Sequence, residues 1–147
     1  MKITLCGSIA FYNEMLTIKK QLEQLKHEVE LPPIEVKDEK GKMIPVKEYY
    51  EKRKTETNDS SWVWDRKMEA MKIHFEKIAR SDAILVLNHT KNDIPNYVGA
   101  NTLLEMGIAL SLNKKIFLLK DIPDISYKEE ILGMKPTIIR EDLNKIQ

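Results

Sequence analysis

Two unbroken apolar runs, AILVL from residue 83 and IFLL from residue 116 (in KIFLL, 115–119), limit what this chain can fold into more than any other feature. A half-solvated strand alternates polar and apolar side chains, and a surface helix repeats them every three to four residues. A short run with no polar face reads instead as a strand buried on both sides, the habit of parallel sheets covered by helices. The stretches between are of the right kind. Residues 2–6 read as a first strand ended by Gly7-Ser8. Residues 12–27 read as an amphipathic helix carrying Met15, Ile18, Leu22 and Leu25. A strand at 27–31 follows, stopped by Pro32-Pro33.

Farther on, residues 34–45 are polar and read as a loop, and 46–54 as a short helix. Asn58, Asp59, Ser60 and Ser61 form a helix-start cluster. Trp64, Met68, Met71, Phe75 and Ile78 then step at helical spacing, a seam that asks for a partner surface. Asn101 is placed as the cap of a helix over 101–112, a short helix follows at 126–134, and a last strand at 137–139. Strand and helix alternate five times, so the expected fold is α/β, three-layered. Its five-stranded, mostly parallel sheet is flavodoxin/Rossmann-like, within one domain over 1–147 and with 32–61 as an insertion.

The charge balance, 24 basic against 23 acidic residues for a net +1, supplies no basic face for a nucleic acid polymer, so a small molecule is the expected partner. One cysteine, Cys6, rules out an intramolecular disulfide, and His27, His74 and His89 lack metal-ligand spacing. No metal or cofactor is called for. The N-terminal MKITLCGS starts a strand without a signal-type apolar run, and no stretch reaches the ~18 apolar residues of a membrane span. A cytoplasmic protein with no membrane partner is expected.

In sheets of this kind ligands bind beyond the carboxyl ends of the strands, where strand order reverses. The loops 7–13, 88–101 and 120–126 reach that end. The helix following the second of these carries Glu105, in the position that completes an inward stripe with Ile108, Ala109 and Leu112. A carboxylate in place of a Leu costs several kcal/mol if left uncompensated. It is either a first-turn glutamate satisfied by local backbone donors or held ionised in a cleft, suited to attack or stabilise a developing cation. The preceding loop, with Asn88, Asn96, Tyr97, Gly99, Asn101 and Thr102, is of the kind that cradles an oxygen-rich ligand. Phe11, Tyr12 and Tyr97 are the aromatic groups best placed to touch it. Trp62 and Trp64 read as packing, Cys6 as a small buried residue, and Asp82 as a strand-entry residue.

KITLCGSI at the start, SDAILVLN in the middle, and NYVGANTLLEMGIAL followed by NKKIFLL resemble the nucleoside 2-deoxyribosyltransferase superfamily, CGSI being most like its 2'-deoxynucleoside 5'-phosphate N-hydrolase branch. The resemblance covers about 1–31 and 66–135. It implies that Glu105 is a nucleophile attacking the anomeric carbon to form a glycosyl-enzyme. It also implies that Gly7, Ser8, Ile9 and Phe11 line the sugar and base pocket, that Gly99, Asn101 and Thr102 hold the 5' end, and that the protein is a homodimer or larger. Three positions depart from the pattern. His74 stands where a second acid is expected, Ala10 where an arginine follows CGSI, and Glu129 or Glu130 near the place of a phosphate-binding serine. The implied substrate is a (2'-deoxy)nucleoside or its monophosphate, with hydrolysis and base exchange both open. A non-catalytic nucleotide-binding or sensor domain is the alternative.

Overall fold

The computed structural model describes all residues, 1–147, and divides into two compact units, Met1–Leu31 with Lys77–Gln147, and Pro32–Glu76. The first unit is built on a five-stranded sheet in which every pairing is parallel. Its strands are β1 (Lys2–Gly7), β2 (Glu28–Glu30), β5 (Ala83–Leu87), β6 (Lys115–Leu118) and β7 (Thr137–Ile138), in the spatial order β2-β1-β5-β6-β7. This is the doubly wound, flavodoxin-like arrangement expected from the sequence. The connection out of β1 runs one way across the sheet and that out of β5 runs the other. The switch point therefore lies between β1 and β5.

Because crossovers of parallel strands are right-handed, the two directions place their helices on opposite faces. Helix α1 (Tyr12–Gln24) buries Met15 and Leu22 against Ile3, Leu5, Leu85, Leu87 and Phe117. Strand side chains alternate, so Thr4, Cys6, Ile84, Val86, Ile116 and Leu118 face the other way, toward helix α4 (Ala100–Ser111), which packs on β1, β5 and β6. All of β5 is buried, the physical reason for its all-apolar sequence. Asp82 anchors the strand's start, its Oδ2 accepting from the Lys2 amide at 2.7 Å. A short helix, α5 (Lys128–Gly133), buries Ile131.

The second unit holds a feature the sequence did not suggest. Residues 34–45, expected as a loop, contain an antiparallel hairpin of β3 (Glu35–Lys37) and β4 (Met43–Pro45). Its turn is organised by Asp38, whose Oδ1 accepts from the amides of Lys40 and Lys42 at 2.9 and 2.8 Å, with Gly41 at φ 84°. Val36 and Ile44 form a small core with Tyr49 of helix α2 (Val46–Thr55) and Val63 of helix α3 (Trp62–Ala79). Tyr49 donates from its hydroxyl to the Val63 carbonyl at 2.7 Å. Trp62 and Trp64 pack at the edge of this core, as expected of them.

Helix α3 is rotated from the sequence expectation. Its buried residues are Val63, His74 and Ile78, whereas Met68, placed on the seam, is 50% exposed. The wide apolar population of this helix made two neighbouring stripes look alike. No helix is long and apolar enough to cross a membrane.

Candidate functional site

The loops after β1 and after β5 flank the switch point, and the side chains that meet there come from both. Gly7 closes β1 opposite Leu87, at φ 150°; a Cβ on it would lie 2.8 Å from the Leu87 carbonyl oxygen and 3.1 Å from Met15 Cε. Only glycine lets β1 and β5 approach so closely at their carboxyl ends. Ser8 then caps the short turn Ile9–Phe11, its Oγ accepting from the Ala10 amide at 3.3 Å. Phe11 turns inward, 5% exposed and edge-on to His89 with ring centroids 5.2 Å apart, while Ile9 stays half-exposed.

Glu105 lies on the inward stripe of α4, which is Thr102, Glu105, Met106 and Ala109; Leu112, expected to complete it, is 44% exposed past the helix end. Glu105 itself is 4% exposed. It lies beyond the first turn of the helix, which carries no acid. Helical side chains lean toward the N-terminus, so Glu105 reaches back one turn, where Asn101 Nδ2 donates to its Oε1 at 2.9 Å. Asn101 is therefore a partner of the carboxylate and not the helix cap, a place taken by Gly99.

From the sheet side, the Cys6 Sγ lies within 4.8 Å of a Glu105 carboxylate oxygen. Burial first, and then the charge of and hydrogen bond to Glu105, push the Cys6 thiol well above its ordinary range. Cys6 is thus a neutral S–H donor next to a carboxylate, not a nucleophile.

Asn88 directly follows β5 and is fully buried, with every polar atom of its side chain committed. Its Oδ1 accepts from the Lys120 amide at 2.8 Å and its Nδ2 donates to the Asp121 carbonyl at 2.9 Å. It braces the loop after β6. The loop from 88 to 99 is itself ordered by a tight turn in which Lys91 and Ile94 exchange both backbone hydrogen bonds, at 3.1 and 2.9 Å, around Asn92 (φ 50°) and Asp93 (φ 59°). Two successive positive φ values define a type I′ turn, which Asn and Asp tolerate.

The turn aims Lys91 across the switch point. Its Nζ donates to Ser8 Oγ at 2.8 Å and stands 5.4 Å from the centroid of the Tyr97 ring. Gly99 makes room for that ring: a Cβ there would meet the Tyr97 Cε1 and hydroxyl at 3.1 and 3.2 Å. The Tyr127 hydroxyl donates to the Val98 carbonyl, tying the start of α5 to the same loop. Ser8, Tyr97 and Gly99 are thus brought together, and Asn101 and Thr102 follow on the first turn of α4. His74 belongs to the second unit, on the buried face of α3 and 3% exposed. Sequence reading missed Lys91. The one local signal was Asn-Asp after a lysine in a loop, since its contact with Ser8 spans 83 residues of chain.

The fold and these groups define a doubly wound α/β domain holding a buried carboxylate on the helix that follows β5 and a lysine over its switch point. Among solved structures, it is similar to a conserved protein from Enterococcus faecalis, at 20% identity over 99% of this chain and 76% of that one, with a TM-score of 0.50. It is also similar to a 2-deoxyribosyltransferase from Bacillus psychrosaccharolyticus (19% identity, 80% of this chain, 71% of that one, TM-score 0.49). A CMP N-glycosidase from Clostridium botulinum is a third (14% identity, 94% and 85% coverage, TM-score 0.48). At such identities the likeness describes the fold alone. No protein-family profile matches the chain, and no curated protein matches it by sequence.

Proposed function

We propose that this protein cleaves or exchanges the N-glycosidic bond of a (2'-deoxy)nucleoside or nucleoside monophosphate, with Glu105 as nucleophile. The observation that carries the reading is the Glu105 carboxylate, 4% exposed yet held by the Asn101 amide on the helix following β5. An ionised acid so held beside the switch point is placed to meet the positive character that grows on a sugar carbon as its base departs. In the first step a Glu105 oxygen bonds to C1' as the C1'–N bond breaks, and its electron pair leaves with the base. The base takes up a proton, for which His74 is the proposed donor because imidazole exchanges protons near neutral pH. Water, losing a proton, or a second base then attacks C1' and releases the carboxylate. Gly7, Ser8, Ile9, Phe11, Tyr97, Gly99, Asn101 and Thr102 are the proposed substrate surround, with Asn88 supporting it from behind.

The test is incubation with matched (deoxy)nucleosides and monophosphates, with and without an acceptor base, followed by chromatography for free or exchanged base. Wild type should release base and Glu105→Gln should not, while both unfold at similar temperatures. Equal behaviour of the two on every substrate removes Glu105 from the chemistry. The histidine at 74, where the resembled family has an acid, favours a second reading, a nucleotide-binding sensor; ligand-induced thermal stabilisation without product selects it.

A further inference from the structure

We infer that the first unit carries a second ligand site, at the opposite end of the sheet from the switch point, where four lysines surround a hollow. Its ligand is a small polyanion, a phosphate chain or a polycarboxylate with two or more negative charges.

The hollow lies at the amino ends of β6 and β7 and has a volume of about 410 Å³, within the range of roughly 300–1,000 Å³ usual for small-molecule sites. Lys114, Lys115, Lys135 and Lys145 line it, together with Leu110 and Met134, and no Asp or Glu does. In a chain of 24 basic and 23 acidic residues, this is a local excess that the whole molecule does not share. Four cations around one hollow repel each other, and an anion between them turns that repulsion into attraction.

Contacts within the protein do not balance the charge. The ammonium groups of Lys114 and Lys135 have neither a carboxylate nor a hydrogen-bond acceptor. Lys115 donates to the Gln147 main-chain oxygen, and Lys145 to the Ile139 carbonyl at 3.4 Å. The one ion pair of the four joins Lys145 to Asp142 at 4.0 Å. Nor are the lysines needed as helix caps, a common reason for lysine after a helix. At the end of α4 the amides of Asn113 and Lys114 donate to the Leu110 and Ala109 carbonyls at 3.0 and 2.9 Å. At the end of α5 those of Met134 and Lys135 donate to Ile131 and Leu132 at 3.2 and 3.1 Å. The main chain thus closes both helices and leaves the ammonium groups to a ligand. Each is a point charge with three donors, so the set suits a compact group with several acceptor oxygens and more than one charge.

The experiment is calorimetric titration of the full chain with inorganic tripolyphosphate and with citrate, at ionic strength held constant with chloride. Wild type is compared with the double variant Lys114→Gln/Lys135→Gln and with a control of equal charge, Lys20→Gln/Lys26→Gln, at exposed positions on and just after α1. Wild type should bind one probe or both saturably, and the tighter of the two tells a phosphate chain from a polycarboxylate. The Lys114/Lys135 variant should bind at least about 10-fold more weakly, the worth of one charge-assisted hydrogen bond, and the control should bind as wild type does. No saturable binding of either probe, or equal weakening in the control, overturns the inference. Lys91→Met should also bind as wild type does; a loss there would put the anion at the switch point and overturn it as well. All variants should unfold near the wild-type temperature without ligand. If the double variant does not, Lys135→Gln alone decides: a smaller loss in the same direction supports the site, and unchanged affinity overturns it.

Discussion

Asn101 Nδ2 donates to Glu105 Oε1 at 2.9 Å, one helical turn apart on the same inward stripe of α4. A hydrogen bond to a charged group contributes about 1.5–3 kcal/mol. It fixes which way the carboxylate points and favours its ionised form. Asn101→Ala should therefore lower the rate of base release by about 10- to 100-fold. Asn101→Asp should be worse, because two like charges would share the stripe one turn apart. Steady-state kinetics of base release checks both. Unchanged kcat in Asn101→Ala would mean the pair is structural only.

Gly7 faces the Leu87 carbonyl across the switch point, and its space is the space the strands need to close. Gly7→Ala adds a Cβ at 2.8 Å from that oxygen in a backbone at φ 150°. The strain of such a backbone is about 1–3 kcal/mol, before any parting of β1 from β5. Denaturant unfolding should show a loss of at least that size, with the melting temperature falling by several degrees. A change inside about 0.5 kcal/mol, the ordinary surface range, would show that the strands relax freely there.

The sheet could be read from the sequence because β1, β5 and β6 are buried on both faces and so carry no competing periodicity. The hairpin β3–β4 could not, since only Val36 and Ile44 of its residues turn inward and the turn between them is charged. Glu105 was legible as an acid on an inward face. Its partners were not, because a first-turn argument points to backbone donors where the helix geometry selects Asn101 and the sheet supplies Cys6. Leu112 was misplaced because periodicity persists past the point where the helix stops. Lys91 was marked only by the Asn-Asp that follows it: a contact between two loops distant in sequence leaves no spacing to find.

Asn88 offers a test of support against contact. Its amide spans from the end of β5 to the Lys120 amide and Asp121 carbonyl, wholly buried. Asn88→Ala leaves a buried amide and a carbonyl without these partners, at about 1–3 kcal/mol each. Asn88→Asp keeps the acceptor and loses the donor, so it should fall between. Thermal unfolding should rank wild type above Asn88→Asp above Asn88→Ala. A variant that keeps its stability but loses ligand affinity would instead place Asn88 among the groups that touch substrate.

Cys6 sets a pH dependence with a definite sign. Burial, then the neighbouring Glu105 charge, raise its folded-state pKa well above the ordinary thiol value of about 8.5. Between those two values the unfolded chain has lost the thiol proton and the folded one has not. The folded state then binds more protons, so stability falls as pH rises. The contribution is complete below about pH 8.5 and is lost progressively above it, with a slope of at most about 1.4 kcal/mol per pH unit. Tyr49 and Tyr127, also raised by burial, add the same sign only from about pH 10. Urea unfolding from pH 8 to 10 should therefore show a downward slope in wild type. The slope should flatten in Cys6→Ala even though that variant starts lower for want of the sulfur's packing. Alkylation gives the matching kinetic reading: the native thiol should resist iodoacetamide at pH 8 and react once urea unfolds the chain. A native thiol that reacts as fast as a free cysteine would show that the neutral donor beside Glu105 is not held there.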